Sequence, residues 1–219
     1  MEKSVSSLVV LLALVTALSA AQEKPVRQCG VERWPVKIWA DKDAKKVRPE
    51  PIDTTISELR SFPIHEVPYP NDARLAPEEL RVYRVRARLL RVKREQDSDL
   101  HLLLADATDP EARMIAEIPA PECAEGSRHE GLFRAAREAV LAMNLPADVE
   151  ITGVGFFDFL HGQRGAAPNG LELHPVLVVR AIPASASKAK VFHRHIYPCA
   201  CDDFKIVEYF GSAMLARPR

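Results

Sequence analysis

Residues 80–93 read LRVYRVRARLLRVK, a run in which Tyr83, Val85, Ala87 and Leu89 alternate with arginines until the phase flips at Leu89-Leu90 and resumes at Leu90 and Val92. Alternation of this kind marks a strand with one face on a core, because successive side chains of an extended chain point to opposite sides. A phase flip inside such a strand marks a β-bulge, where an extra residue bends the strand and lets it serve both halves of a small barrel. So long a bent strand directs the chain toward a β architecture that closes on itself.

The segments that follow agree with closure. Polar QDSD turns the chain into LHLLLAD, and DATDPEA turns it into RMIAEIPA, giving a three-strand meander. Ser127 with Glu130 forms a capping-box pattern, after which Leu132, Phe133, Ala136, Val140 and Met143 recur at helical spacing until Asn144 and Pro146. Two more strands are predicted at 149–157 and 171–182. The order of three strands, a helix and two strands is that of an OB-fold, a five-stranded Greek-key barrel, with an α+β sheet as the competing architecture. The fold class expected is therefore mainly β with one helix, an OB-like barrel flanked by an N-terminal arm and a C-terminal extension.

Around that barrel (79–182) the chain divides further. Residues 1–21 read as an export signal, with Lys3 before the apolar run and Ser19-Ala20-Ala21 suiting a signal peptidase. The apolar run falls short of the roughly 20 residues that span a bilayer, so no membrane insertion is expected after signal removal, and the expected location is periplasmic or extracellular. Residues 22–78, rich in Pro and charge, form the arm, with a short helix candidate where Thr55 and Glu58 make a capping box. Residues 183–219 are a linker and extension. Lys plus Arg and Asp plus Glu both total 30, so no global field favours a nucleic acid or an anionic membrane; Arg84, Arg86 and Arg88 share one side of the bent strand as a solvated face. Cys29, Cys123, Cys199 and Cys201 in an exported chain point to disulfides, at least one of them long-range, in any of three full pairings.

Candidate chemistry gathers in three places. The turn LHGQRGAAPNG between the last two strands concentrates His161, Gln163, Arg164 and Asn169, with Glu172 and His174 two residues apart on one face of the strand that follows. A carboxylate beside an imidazole could act as an acid/base pair, and His161, Glu172 and His174 could ligate a metal. His101 and Glu117 interrupt two neighbouring apolar strands, so each faces solvent or needs a buried partner. In the tail, His193, His195, Cys199 and Cys201 place four soft ligands within nine residues, a density suited to zinc or copper. No motif identifies a cofactor.

The segments ERWPVK, DSDLHLLLAD, MIAEIPAPEC, GVGFFDFLHGQRGAAPNG and ELHPV resemble an uncharacterised family of exported bacterial proteins, a resemblance that covers residues 32–179 and implies no activity. HLLLADATDPE is similar to the strand and turn of the staphylococcal nuclease family, an OB-fold family, which implies Asp106 as a calcium ligand and Glu111 as the base that activates water. Here two extra residues separate Asp106 from the Pro-Glu pair, His101 stands where that family has a phosphate-binding arginine, and its second arginine motif has no counterpart. The functional expectation is an exported OB-like binding or interaction module for an oligosaccharide, nucleic acid or protein partner. The alternative is a divalent-metal-dependent hydrolase, phosphodiesterase- or nuclease-like, on the same barrel.

Overall fold

The computed structural model describes residues 28–183. The N-terminal segment 1–21, expected to direct export, and the tail residues His193, His195, Cys199 and Cys201 lie outside the described residues. Six strands are present: β1 (Arg48–Thr54), β2 (Arg81–Arg94), β3 (Leu100–Asp106), β4 (Arg113–Ile118), β5 (Ala147–Phe157) and β6 (Leu171–Ala181). Their order is β1-β2-β3-β4-β6-β5, and β5 pairs back onto β2, so β2 to β6 close into a five-stranded barrel of OB-like Greek-key connectivity. The contact of β4 with β6 is parallel, and the other barrel contacts are antiparallel.

Strand β2 makes the closure possible. Val82 to Leu89 pair with β5 along one edge, while Ala87 to Arg94 pair with β3 along the other. The β2–β3 register slips between Leu89 and Arg91, which face Leu104 and Leu103, leaving Leu90 as the extra residue where the sequence phase flips. Val85, Ala87 and Leu89 enter the core before the bulge, and Arg86 and Arg88 face solvent.

Alternation sorts the remaining strands. Leu100, Leu102, Leu104, Met114, Ala116, Ile118, Ile151, Leu171 and Leu173 fill the barrel, and α3 (Glu130–Leu141) packs Phe133, Ala136 and Val140 against the same core. The helix starts two residues later than a Ser127 cap would require. Its N-cap is His129, and Ser127 Oγ instead accepts from the His129 N–H, because residues 124–127 form a turn of their own before the helix, closed by the Ser127 N–H on the Ala124 carbonyl. Leu132 is exposed, so the buried stripe is narrower than its spacing suggested.

The arm carries more structure than its composition indicated. Helix α1 (Trp34–Lys37) begins with Pro35 near its N-terminus, and α2 (Ile56–Leu59) is capped as expected, Thr55 Oγ1 accepting from the Glu58 N–H at 3.0 Å. Strand β1, RPEPIDT, pairs in parallel with the start of β2 and so occupies the stretch of edge that β3 leaves free. Pro49 and Pro51 hid it from a reading based on strand propensity.

Two buried ion pairs seat the arm. Arg33 and Glu79, both fully buried, meet at 2.7 and 2.8 Å, and Arg33 also donates to the carbonyls of Pro70, Ala73 and Phe157. Glu79 accepts from the Phe157 and Leu75 N–H groups, so both partners are saturated. Arg74 and Asp41 form the second pair at 2.7 Å. A disulfide between Cys29 and Cys123, 94 residues apart, adds a covalent tie. It is a long-range bridge of the kind expected from the sequence. Replacing Arg33 with Met should lower the unfolding free energy by roughly 3–5 kcal/mol, because it strands a buried carboxylate; urea denaturation of both chains measures the difference.

Candidate functional site

Outward-facing residues of a barrel are normally wet, yet several on β3, β4 and β6 are withdrawn from solvent. His101 on β3 stands directly opposite Glu117 on β4, and the parallel pairing of Ala116 with Leu173 sets Glu117 beside His174 of β6. The arm lies over this outer face. Consequently Glu172 and His174 are buried, and Glu117 and His101 keep about a tenth of their side-chain surface.

His101, Glu117, His174 and Asp99 form a chain in which imidazoles and carboxylates alternate. His101 Nδ1 lies 3.1 Å from Glu117 Oε1, His174 Nδ1 3.1 Å from Glu117 Oε2, and His174 Nε2 3.5 Å from Asp99 Oδ2. Asp99, at the end of the β2–β3 turn, accepts from the Ala120 N–H through its other oxygen at 2.9 Å. Despite the short distances to His174, neither ring nitrogen has an aligned hydrogen-bond partner, and neither do Asp99 Oδ2 and Glu172 Oε2. Phe156 packs on the His174 ring, centroid to centroid 5.3 Å.

Burial and charge drive these groups in opposite directions. Burial would raise the Glu117 carboxyl, but the imidazoles of His101 and His174 outweigh it and hold it well below the usual carboxylate range. Glu172 has no such partner, and burial, reinforced by repulsion from Glu117 and Asp158, pushes it well above that range. Burial would lower His174, yet its contacts with Asp99 and Glu117 raise it. Lys37 is likewise raised, since Asp158, Glu117, Glu172 and Asp97 outweigh its desolvation.

His101 and Glu117 open onto a cleft of about 830 Å³ between the β2–β3 turn and the loop joining β5 to β6. That loop is closed at its base by a hydrogen bond from Asp158 N–H to Gly170 O, and Gly170 sits at φ +75°, where a Cβ would fall 2.6 Å from Asp158 O. It presents His161, Gln163 and Arg164 to the cleft, with the Gln163 amide bonded to the Phe159 carbonyl and to His161 Nε2. Arg91, Lys93 and Arg94 at the end of β2 line the opposite side.

The sequence-predicted residues thus divide. His101, Glu117, His161 and Gln163 share the cleft, and Glu172 and His174 lie behind it. Asn169 is elsewhere: its amide donates to the carbonyls of Leu59 and Phe62, tying α2 to the loop, and accepts from the Leu171 N–H. Asp99 and Lys37 went unnoticed in the sequence. Asp99 belongs to a polar turn and Lys37 to a segment without strand pattern, and only the folded arm brings them to this face.

A smaller cleft of about 580 Å³, beside β1, is lined by Asp53, Arg84, Asp106 and Glu150 among others. There Asp106 accepts from the Thr108 and Asp109 N–H groups, the Thr108 hydroxyl and the Ser57 N–H, while Glu111 is exposed. No protein-family model and no curated protein sequence matches the chain.

Burial raises the Asp106 carboxyl, but its four donors outweigh that and hold it below the ordinary range. A lowered native value adds stability above the unfolded carboxylate pKa of about 3.9, and that stability is lost as the pH falls through the native value. Asp106→Asn should therefore lose about 1–2 kcal/mol at pH 7 and show a shallower acid limb. Urea midpoints measured from pH 7 to pH 2 test both.

Proposed function

We propose that this is an exported OB-barrel binding module that takes an acidic oligosaccharide in the cleft over β3 and β4. Support comes first from position. OB barrels bind oligonucleotides and oligosaccharides on the face of their second and third strands, between the loops joining strands one to two and four to five. Those elements here are β3, β4, the β2–β3 turn and the β5–β6 loop, an argument by analogy of fold. Export is favoured by the signal-like N-terminal segment and by the Cys29–Cys123 disulfide, which suits an oxidising compartment. No helix among the described residues is long and apolar enough to cross a membrane.

The observation that carries the ligand class is the cleft lining. Arg91, Arg94 and Arg164 border it with no side-chain ion pair or hydrogen bond among the described residues, so three planar donor groups are free to take carboxylate or sulfate oxygens. Among the described residues no Phe, Tyr or Trp lines it, whereas binding of single-stranded nucleic acid draws much of its energy from bases stacked on aromatic rings. The floor, with Glu117, Asp97, Asp158 and His101, offers acceptors and a donor to sugar hydroxyls.

Isothermal titration of the mature chain with a uronate oligosaccharide, its neutral counterpart and a single-stranded oligonucleotide tests the reading. The uronate should bind best and weaken with salt, and Arg91→Ala and Arg164→Ala should each cost at least about tenfold. Absence of uronate binding, or binding indifferent to both substitutions, would refute it.

A second reading, a hydrolase on the same barrel, is favoured by His101, which reaches the cleft with a carboxylate behind it in the manner of an oriented general base. Divalent-ion-dependent cleavage of a phosphodiester or glycosidic substrate, lost on His101→Ala and retained in Glu111→Gln, would support that reading. Loss in Glu111→Gln alone would favour instead the nuclease-like assignment of Asp106 and Glu111.

A further inference from the structure

We propose that Asp99, Glu117 and His174 form a binding site for a divalent transition-metal cation of the zinc class, set behind the floor of the cleft. One carboxylate oxygen from each acid and one nitrogen of His174 lie within 4.8 Å of one another, and all three residues are buried. Their donors come from the β2–β3 turn, β4 and β6, elements held by the barrel itself, so the constellation is set by the fold and not by a loop.

The way each donor is oriented points to an ion. Asp99 has one oxygen fixed by the Ala120 N–H, while Oδ2 has no hydrogen-bond partner and sits 3.5 Å from His174 Nε2. Glu117 repeats the pattern, with Oε1 held by His101 and Oε2 turned to His174. Both acids thus have one oxygen tied down and the other turned to the His174 ring, Asp99 toward Nε2 and Glu117 toward Nδ1, so that a small shift of either brings it to an ion on one nitrogen, with outer partners orienting the ligands.

Magnitudes separate the two explanations of these contacts. A separation of 3.5 Å with poor alignment is a weak hydrogen bond at best. It is close to the roughly 3.3 Å that separates two ligands on one tetrahedral ion bonded at about 2.0–2.1 Å. The mixed imidazole and carboxylate set suits zinc, with water completing four-coordination. The site does not depend on which ligand the cleft takes.

Titration of the full-length, chelator-stripped chain with zinc chloride should give one tight site that weakens at least about 100-fold in Asp99→Asn and in His174→Gln. His101→Ala, which removes only the group orienting Glu117, should weaken it about tenfold. A chain with His193 and His195 changed to Ala and Cys199 and Cys201 to Ser should keep the site. Zinc-free wild type that takes up no stoichiometric ion, or uptake abolished by the tail substitutions alone, overturns the proposal. Should the buried substitutions prevent folding, the anomalous-scattering map of zinc-soaked wild-type crystals decides: a peak among Asp99, Glu117 and His174 supports the site, and a peak elsewhere or none overturns it.

Discussion

Burying a guanidinium and a carboxylate together is tolerable only when every donor and acceptor is met, and Arg33 with Glu79 meets that condition across four segments of chain. Arg33 is in the left-handed region, at φ 50°, immediately before α1, so the pair also fixes where that helix starts. From it follows the position of Lys37, and with it the roof over β4 and β6. Without this clasp the outer wall of the barrel would be an ordinary solvated sheet face, and Glu172 and His174 would be surface residues of no particular interest. The polar interior of this molecule is thus not inside the barrel at all. It lies between the barrel and its arm.

That arrangement explains what could be read beforehand. The bulge at Leu90, the meander, the helix and the two last strands all rest on spacing within one segment, and local spacing is what a sequence displays. Glu172 and His174 were legible as neighbours because a strand puts residues two apart on one face. Their meeting with Glu117, and that of Glu117 with His101, required the register of β4 against β3 and β6, which no local pattern encodes. Asp99 and Lys37 were harder still, since each reaches the cluster from irregular or briefly helical chain. Strand β1 escaped notice for the opposite reason: two prolines disguise a segment that needs only one edge.

The cluster behind the cleft brings two glutamates of different character into one small volume. Glu117 is kept ionised by imidazoles on either side, whereas burial and its neighbours favour a protonated Glu172. Environments that push similar groups apart in this way are common where proteins handle protons or ions, though structural networks produce them too. Here the contrast follows from topology, because only Glu117 faces both His101 on the neighbouring strand and His174 across the parallel contact.

Strand β1 ends the sheet and has six of its seven residues exposed. An outermost strand of that kind is a natural template for a neighbouring molecule, and stacking along it leads to polymers. Pro49 and Pro51 have no N–H to offer a newcomer, and Arg48, Glu50 and Asp53 would have to shed their water to admit one. Among the described residues β2 to β6 close on one another, so the residues that make β1 hard to recognise also keep copies of this protein from growing onto its edge.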